Sequence, residues 1–263
     1  MNKLRVEKVN FYSDILGKEM PMLVYLPEGY NSLTPLPVLY FLHGRSGNEN
    51  IMFETGINTI ADRMIKDREI KPIIIACPRI ENSRGLNSSL ICKEIPDPGN
   101  NNRIINLGMY EDYFIEEIVP LTDKTFNTIK DRKGRYIGGA SAGGYAALHN
   151  AFRHQHMFSK AGGHMPALEL KLEEEDKPYF KDMDVWEKYD PIYIAKNNNI
   201  FSDMDVYLDA GDKDEGNFYE GCSVLHKILK GKGINSQNYI FPGNHSAEYI
   251  QSNIEKYLKF YGY

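Results

Sequence analysis

The residues of this 263-residue chain best suited to chemistry are a serine, a loop of carboxylates and a histidine, met in that order along the sequence. Ser141 lies in Gly138-Gly139-Ala140-Ser141-Ala142-Gly143-Gly144, a Gly-x-Ser-x-Gly pattern between the strand-like run Arg135-Tyr136-Ile137 and the helical composition of residues 145–152. A strand-to-helix reversal this sharp accepts only small residues around the serine. It would leave the hydroxyl exposed at the C-terminal edge of a sheet, with the positive end of the next helix aimed at it. Glycine-rich stretches also cradle phosphates, but a phosphate loop carries Lys and then Ser or Thr after its last glycine, where this chain has Tyr145 and Ala146.

A serine hydroxyl is a weak nucleophile until a base takes its proton and a third group orients the base. Among the seven histidines, His226 falls inside an amphipathic helical pattern, His149, His154 and His156 lie along or just past the helix after Ser141, and His43 precedes the serine. His245 differs: it sits in the loop Pro242-Gly243-Asn244-His245-Ser246, after a strand ending at Phe241 and before the last helix. The acid is expected on the loop after the strand at residues 205–210, which reads Gly211-Asp212-Lys213-Asp214-Glu215-Gly216. At most one of its carboxylates orients the base, and sequence order does not separate Asp212 from Asp214. His154-Gln155-His156 has no carboxylate or cysteine companion at ligand spacing, so no metal is expected.

The elements that must position these residues alternate between strand and helix. Residues 6–12 and 21–27 read as strands, and residues 29–32 turn the chain. The continuous apolar runs Pro37-Val38-Leu39-Tyr40-Phe41-Leu42 and Pro72-Ile73-Ile74-Ile75-Ala76-Cys77-Pro78 read as strands covered on both faces. Between them Ile57, Ile60, Ala61, Met64 and Ile65 follow helical spacing. Helical spacing returns at residues 110–120, 218–229 and from Tyr249 to Leu258, with further strands at 158–163 and 238–241. Two long connections, residues 79–108 and 164–202, show no period and are expected to shape the rim of a pocket. The second holds the acidic run Glu173-Glu174-Glu175-Asp176, read as a solvated face, and Trp186, read as a candidate pocket wall.

Composition bounds the alternatives. With 42% hydrophobic and 25% charged residues the chain has the make-up of one α/β domain, residues 1–263, with no repeat and no linker. A net charge of 31 − 36 = −5, without a basic stripe, gives no footprint for nucleic acid. No apolar run approaches the ~20 residues of a membrane span. The amino terminus lacks the apolar stretch of a secretory signal, and Cys77, Cys92 and Cys222 are scattered, so a reducing cytoplasm is expected.

Taken together, Val24–Tyr30, Pro37–Gly44, Tyr110-Glu111-Asp112-Tyr113, the serine turn, the Gly211–Asp214 loop and Gly243-Asn244-His245 resemble the putative-esterase family of α/β-hydrolases. That family includes enterochelin and feruloyl esterases, S-formylglutathione hydrolases and mycolyltransferases. The resemblance implies an α/β-hydrolase fold with a central, mostly parallel eight-stranded sheet and helices on both faces. It selects Asp214 as the acid, three residues after the loop glycine, and assigns the oxyanion donors to the backbone N–H groups of Ala142 and Arg45. His43 and Gly44 would then border the substrate pocket. Many relatives carry Met where this chain has Ala142, and a small or apolar residue where it has Arg45. Arg45 could select an anionic substrate or simply face solvent. The implied activity is serine-dependent hydrolysis of a small carboxylic ester, without a cofactor. The alternatives are transfer of the acyl group to an alcohol or sugar, or a non-catalytic binding domain.

Overall fold

The runs at residues 38–42 and 74–78 become central strands because every one of their side chains is taken out of water. In the computed structural model, which describes residues 5–31 and 33–262, they are β3 and β4 of ten strands. The strands are β1 (Arg5–Ser13), β2 (Lys18–Leu26), β3 (Val38–Leu42), β4 (Ile74–Pro78), β5 (Lys93–Asp97), β6 (Asn100–Leu107), β7 (Arg135–Ala140), β8 (Lys160–His164), β9 (Asp205–Gly211) and β10 (Asn235–Phe241). Ser32, which ends the expected turn, and Met1–Leu4, where the amino-terminal reading begins, lie outside the described residues.

Among the described residues, eight of these strands form one sheet in the order β1-β2-β4-β3-β7-β8-β9-β10. From β4 to β10 all neighbours are parallel, while β2 pairs antiparallel with β4 and β1 antiparallel with β2. The expected α/β-hydrolase fold is therefore the one adopted. The crossover from β3 through the helix Ile57–Lys66 to β4 steps one way along the sheet, and the crossovers from β7 to β8, β9 and β10 step the other way. Right-handed crossovers in opposite directions put their helices on opposite faces. Strand order thus reverses between β3 and β7, which pair directly with Leu42 opposite Gly139. Ligands of open α/β sheets bind beyond the C-terminal strand ends at such a reversal, and here those ends carry His43-Gly44-Arg45 and Ser141.

The connections are more ordered than their lack of period suggests. Residues 79–108 contain the hairpin β5–β6, turned at Pro98-Gly99, where the Asp97 side chain accepts from the Gly99 N–H at 2.8 Å. Pro96 and a register shift interrupt the alternation of the pair, and β6 opens on three consecutive asparagines, which hides the hairpin from a search for period 2. Residues 164–202 fold as short helical turns, Glu174–Asp176, Lys177–Phe180, Met183–Tyr189 and Pro191–Asn197. The expected helix at 110–120 runs through a π-helical segment, Tyr113–Ile118, just ahead of Pro120, whose missing N–H cannot close a regular turn. No helix among the described residues is long and apolar enough to cross a membrane.

Behind the sheet's C-terminal edge lies a buried polar cluster. Asp209 accepts hydrogen bonds from Tyr249 Oη (2.7 Å) and Tyr257 Oη (2.9 Å) and lies 3.3 Å from His164 Nδ1. His164 Nε2 is 3.0 Å from Tyr261 Oη, and the His164 carbonyl accepts from the Ser141 N–H at 3.0 Å. Tyr261 reaches this place only because Gly162 has no side chain: a Cβ there would lie 1.8 Å from the phenolic oxygen. Gly162→Ala should therefore destabilise the fold by ~2 kcal/mol or more. Tyr261→Phe in the same chain should restore part of the loss by removing the nearest atom. Urea unfolding of both variants checks this, and a change below about 0.5 kcal/mol for the single variant would contradict it.

Candidate active site

Ser141 follows β7 and caps the helix Ala142–Arg153 with φ 55° and ψ −119°. A non-glycine residue there costs on the order of 1–3 kcal/mol and persists only where its surroundings fix it. Here the Ser141 carbonyl accepts from the N–H groups of Tyr145 (3.0 Å) and Ala167 (3.1 Å). Gly143 lets the new helix start against the end of β3, since a Cβ would lie 2.3 Å from the Leu42 carbonyl oxygen. The reversal leaves Ser141 partly exposed while the helix behind it is buried along almost its whole length.

The loops after β9 and β10 bring the other two residues to it. Ser141 Oγ donates to His245 Nε2 at 2.8 Å, and His245 Nδ1–H donates to Asp214 Oδ2 at 2.8 Å, the tautomer being set by these partners. Asp214 is buried, and its Oδ1 accepts from the Gly216 N–H at 2.9 Å. The geometry thus separates the two aspartates that sequence order leaves equivalent. Asp212 instead accepts from the Gly243 N–H at 2.9 Å and braces the histidine loop. Glu215 braces it too, accepting from the His245 N–H at 3.2 Å, and the Phe218 ring packs edge-on against the imidazole at 5.1 Å.

The turn after β3 faces this trio. His43 is buried and joins two loops: its Nδ1–H donates to the Gly44 carbonyl at 2.9 Å, and its Nε2 accepts from the Ile80 N–H at 3.0 Å. Burial pushes its pKa down to about 4, so the ring is neutral and holds the turn rather than handling protons. Gly44 lies against Ser141: a Cβ on it would be 3.3 Å from the serine Cβ. The Ser46 N–H donates to Asn82 Oδ1 at 2.5 Å. Ala142 opens its helix, so its N–H is among those a helix leaves without an internal partner, and the residue borders the same space.

These residues line a cleft of about 530 Å³. Its lining includes the apolar Ile51, Met165, Ala167, Phe218 and Ile250, the ion-paired Arg45, Arg84, Arg103, Glu169 and Glu175, and Glu54 and Glu215. Arg45 does not simply face solvent: it lines the cleft with its cation already engaged. Its guanidinium is held by Glu175 Oε1 at 3.1 Å and Asp176 Oδ1 at 2.9 Å, with 17% of the side chain exposed. The acidic run is likewise only partly a solvated face. Glu173 and Glu174 pair with surface lysines, whereas Asp176 is buried between Arg45 and Arg84. Trp186 is not a pocket wall. It is 1% exposed, meets Tyr193 edge-on at 5.3 Å and is absent from the cleft lining, because the helix Met183–Tyr189 turns its bulky ring into the core. Sequence reasoning missed Arg84, Glu169 and Asp176, which lie in aperiodic stretches and are joined only by the fold. His154, which also meets the exposed His156 edge-on with ring centroids 6.3 Å apart, and His149 both contact Glu111, His154 at 2.7 Å and His149 at 3.1 Å. Their hydrogen bonds outweigh burial and hold the Glu111 carboxyl well below the usual range. Among the described residues no cluster of three or more His, Cys, Asp or Glu side chains could hold a metal ion.

The model of the family described as Putative esterase matches residues 13–261. An endo-1,4-beta-xylanase/feruloyl esterase of Xylanibacter ruminicola is 29% identical over 242 residues, which are 87% of this chain and 30% of that longer protein. An S-formylglutathione hydrolase of Arabidopsis thaliana is 23% identical over 96% of this chain and 90% of its own. Among solved structures, a ferulic acid esterase superposes with a TM-score of 0.80 at 22% identity, covering 98% of both chains, a likeness of fold.

Two expectations follow from the geometry. Folded His43 refuses a proton that the unfolded chain accepts, so its contribution to stability is complete above about pH 6.5 and is lost as pH falls toward about 4. Urea unfolding should show wild type losing about 2–3 kcal/mol more than His43→Gln between pH 7 and pH 4.5, and parallel losses would contradict a buried neutral ring. Among the described residues lining the cleft, each guanidinium has a carboxylate within 3.0 Å: Asp176 for Arg45 and Arg84, Asp97 for Arg103. Arg45→Ala should therefore lower kcat/KM equally for neutral and carboxylate-bearing esters. A loss about tenfold greater on the anionic ester, worth ~1.4 kcal/mol, would restore charge selection.

Proposed function

Because the chain belongs to the family described as Putative esterase, we propose that it hydrolyses a small, uncharged carboxylic ester through a covalent intermediate on Ser141. The observation that carries this reading is the continuous chain Ser141 Oγ, His245, Asp214, with both links at 2.8 Å and its open end in the cleft. The relatives named as feruloyl esterase and S-formylglutathione hydrolase support hydrolysis of an ester or thioester bond.

In the proposed cycle His245 Nε2 takes the hydroxyl proton as Ser141 Oγ attacks the carbonyl carbon. Asp214 keeps Nδ1 protonated and stabilises the imidazolium. The carbonyl oxygen becomes an oxyanion facing the N–H groups of Ala142 and Arg45, and fixed donors of this kind supply a large share of rate acceleration in acyl transfer. Collapse of the tetrahedral species breaks the bond to the leaving oxygen, which receives the proton from His245. Water, deprotonated by the same imidazole, then releases the acid and restores the serine. With each cleft-lining guanidinium already paired to a carboxylate, an uncharged substrate suits the site, and apolar lining residues such as Ile51, Phe218 and Ile250 suit an acetyl or aryl acyl group.

On a p-nitrophenyl ester, Ser141→Ala should reduce kcat to the residual level that binding and oxyanion contacts alone provide, ~10³–10⁴-fold above water. Asp214→Asn should cost about 10⁴-fold, whereas Asp212→Asn, which only weakens the brace on Gly243, should cost less than about tenfold. Full turnover by Ser141→Ala would end the serine reading, and the reverse ranking of the two aspartates would end the assignment of the acid.

A further inference from the structure

We propose that Asp176 is a positioning residue that sets the Arg45 N–H relative to the Ala142 N–H by holding the Arg45 side chain against an anchor built on the nucleophile helix. The proposal rests on the reading of those two N–H groups as oxyanion donors.

Both oxygens of the Asp176 carboxylate are used: Oδ1 accepts from Arg45 Nη2 at 2.9 Å and Oδ2 from Arg84 Nη2 at 2.6 Å. Arg84 is a fixed post, with 1% of its side chain exposed, Glu169 Oε1 at 3.1 Å, and the rings of Tyr145 and Tyr179 at 5.1 and 5.8 Å from the guanidinium. Tyr145 belongs to the helix that begins at Ala142. The path from the Arg45 side chain through Asp176 and Arg84 to Tyr145 therefore ends on the element that carries the other donor. The same short segment supplies a second strap: Tyr179 Oη donates to the Asn82 carbonyl at 2.7 Å, and Asn82 Oδ1 holds the Ser46 N–H at 2.5 Å. The turn after β3 is thus gripped by residues 176 and 179 of the 164–202 connection, once through a side chain and once through Asn82.

Charge makes the Asp176 link hard to replace. Without the carboxylate, two guanidiniums would face each other, that of Arg84 buried, and the remaining partner of Arg45, Glu175, is 40% exposed and correspondingly screened. The Arg45 side chain would leave its present seat, and the backbone N–H beside it would shift while remaining present. A strut that acted only on stability would change melting and the folded fraction. It would not change the turnover of the molecules that are folded, nor would it act through Arg45.

The test is steady-state kinetics on a p-nitrophenyl ester, with melting followed in parallel, for Asp176→Asn, Arg45→Gln, the double variant and Ser141→Ala. Deleting an oxyanion donor outright costs ~10²–10³ in kcat, so a misplaced donor should cost about tenfold to 100-fold. KM should stay within about threefold, and the double variant should be no slower than the slower single, because both changes break one path. Wild-type kcat in folded Asp176→Asn, additive losses, or a change confined to KM would each overturn the proposal. Should Asp176→Asn fail to fold, Arg45→Gln carries the decision, and wild-type kcat in that variant overturns it. Ser141→Ala reports separately on the esterase reading: activity retained there sinks that reading, whereas activity lost there and kept in Asp176→Asn sinks only the role of Asp176.

Discussion

The hydrogen bond from Ser141 Oγ to His245 Nε2, 2.8 Å long between residues 104 apart in sequence, is the contact to which the rest of the molecule is fitted. It requires the serine to stand clear of its own backbone, hence the positive φ, and it requires the loop after β10 to reach back across β8 and β9. Parallel register makes that reach short, because β7, β8, β9 and β10 all end on one edge of the sheet. The braces from Asp212 to Gly243 and from Glu215 to the His245 N–H hold the histidine loop where the imidazole can meet the serine. The cluster of Asp209, His164 and Tyr261 supports the elbow from behind, through the His164 carbonyl that receives the Ser141 N–H.

The parts of this arrangement that were legible in the sequence are those written in local patterns. The helix Ile57–Lys66 came from 3.6-residue spacing, β3 and β4 from continuous apolar runs, and the Ser141 turn from its small neighbours. The order of Ser141, an acid loop and His245 was equally readable, since each follows its own strand. The choice of Asp214 over Asp212 was not written in that order, since both are turn-forming acids two residues apart; the family resemblance pointed to Asp214, and the path of the loop brings that carboxylate to His245. Trp186 misled for the opposite reason, because an aromatic residue in an aperiodic stretch gives no sign of which way a short helix will turn it.

The charged wall of the cleft was illegible for a further physical reason. Arg84 pairs with Asp176 across 92 residues and Arg45 with the same carboxylate across 131, and neither pairing leaves a trace in spacing or composition. Local polarity suggested solvent for the acidic run, but a carboxylate can be buried when two guanidiniums meet it. That exchange also turns Arg45 from a candidate specificity charge into part of an ion-paired framework. The two long connections then act as more than a rim, since they carry the ion pairs that tie the turn after β3 to the helix after β7.

The proposed cycle depends on Ser141 Oγ being the atom that carries the acyl group. Peptide mapping by mass spectrometry after reaction with a fluorophosphonate addresses that most directly. A single adduct on the peptide containing Ser141, absent after denaturation before labelling, is the predicted result. A native protein that stays unmodified, or one modified at another residue, would contradict it.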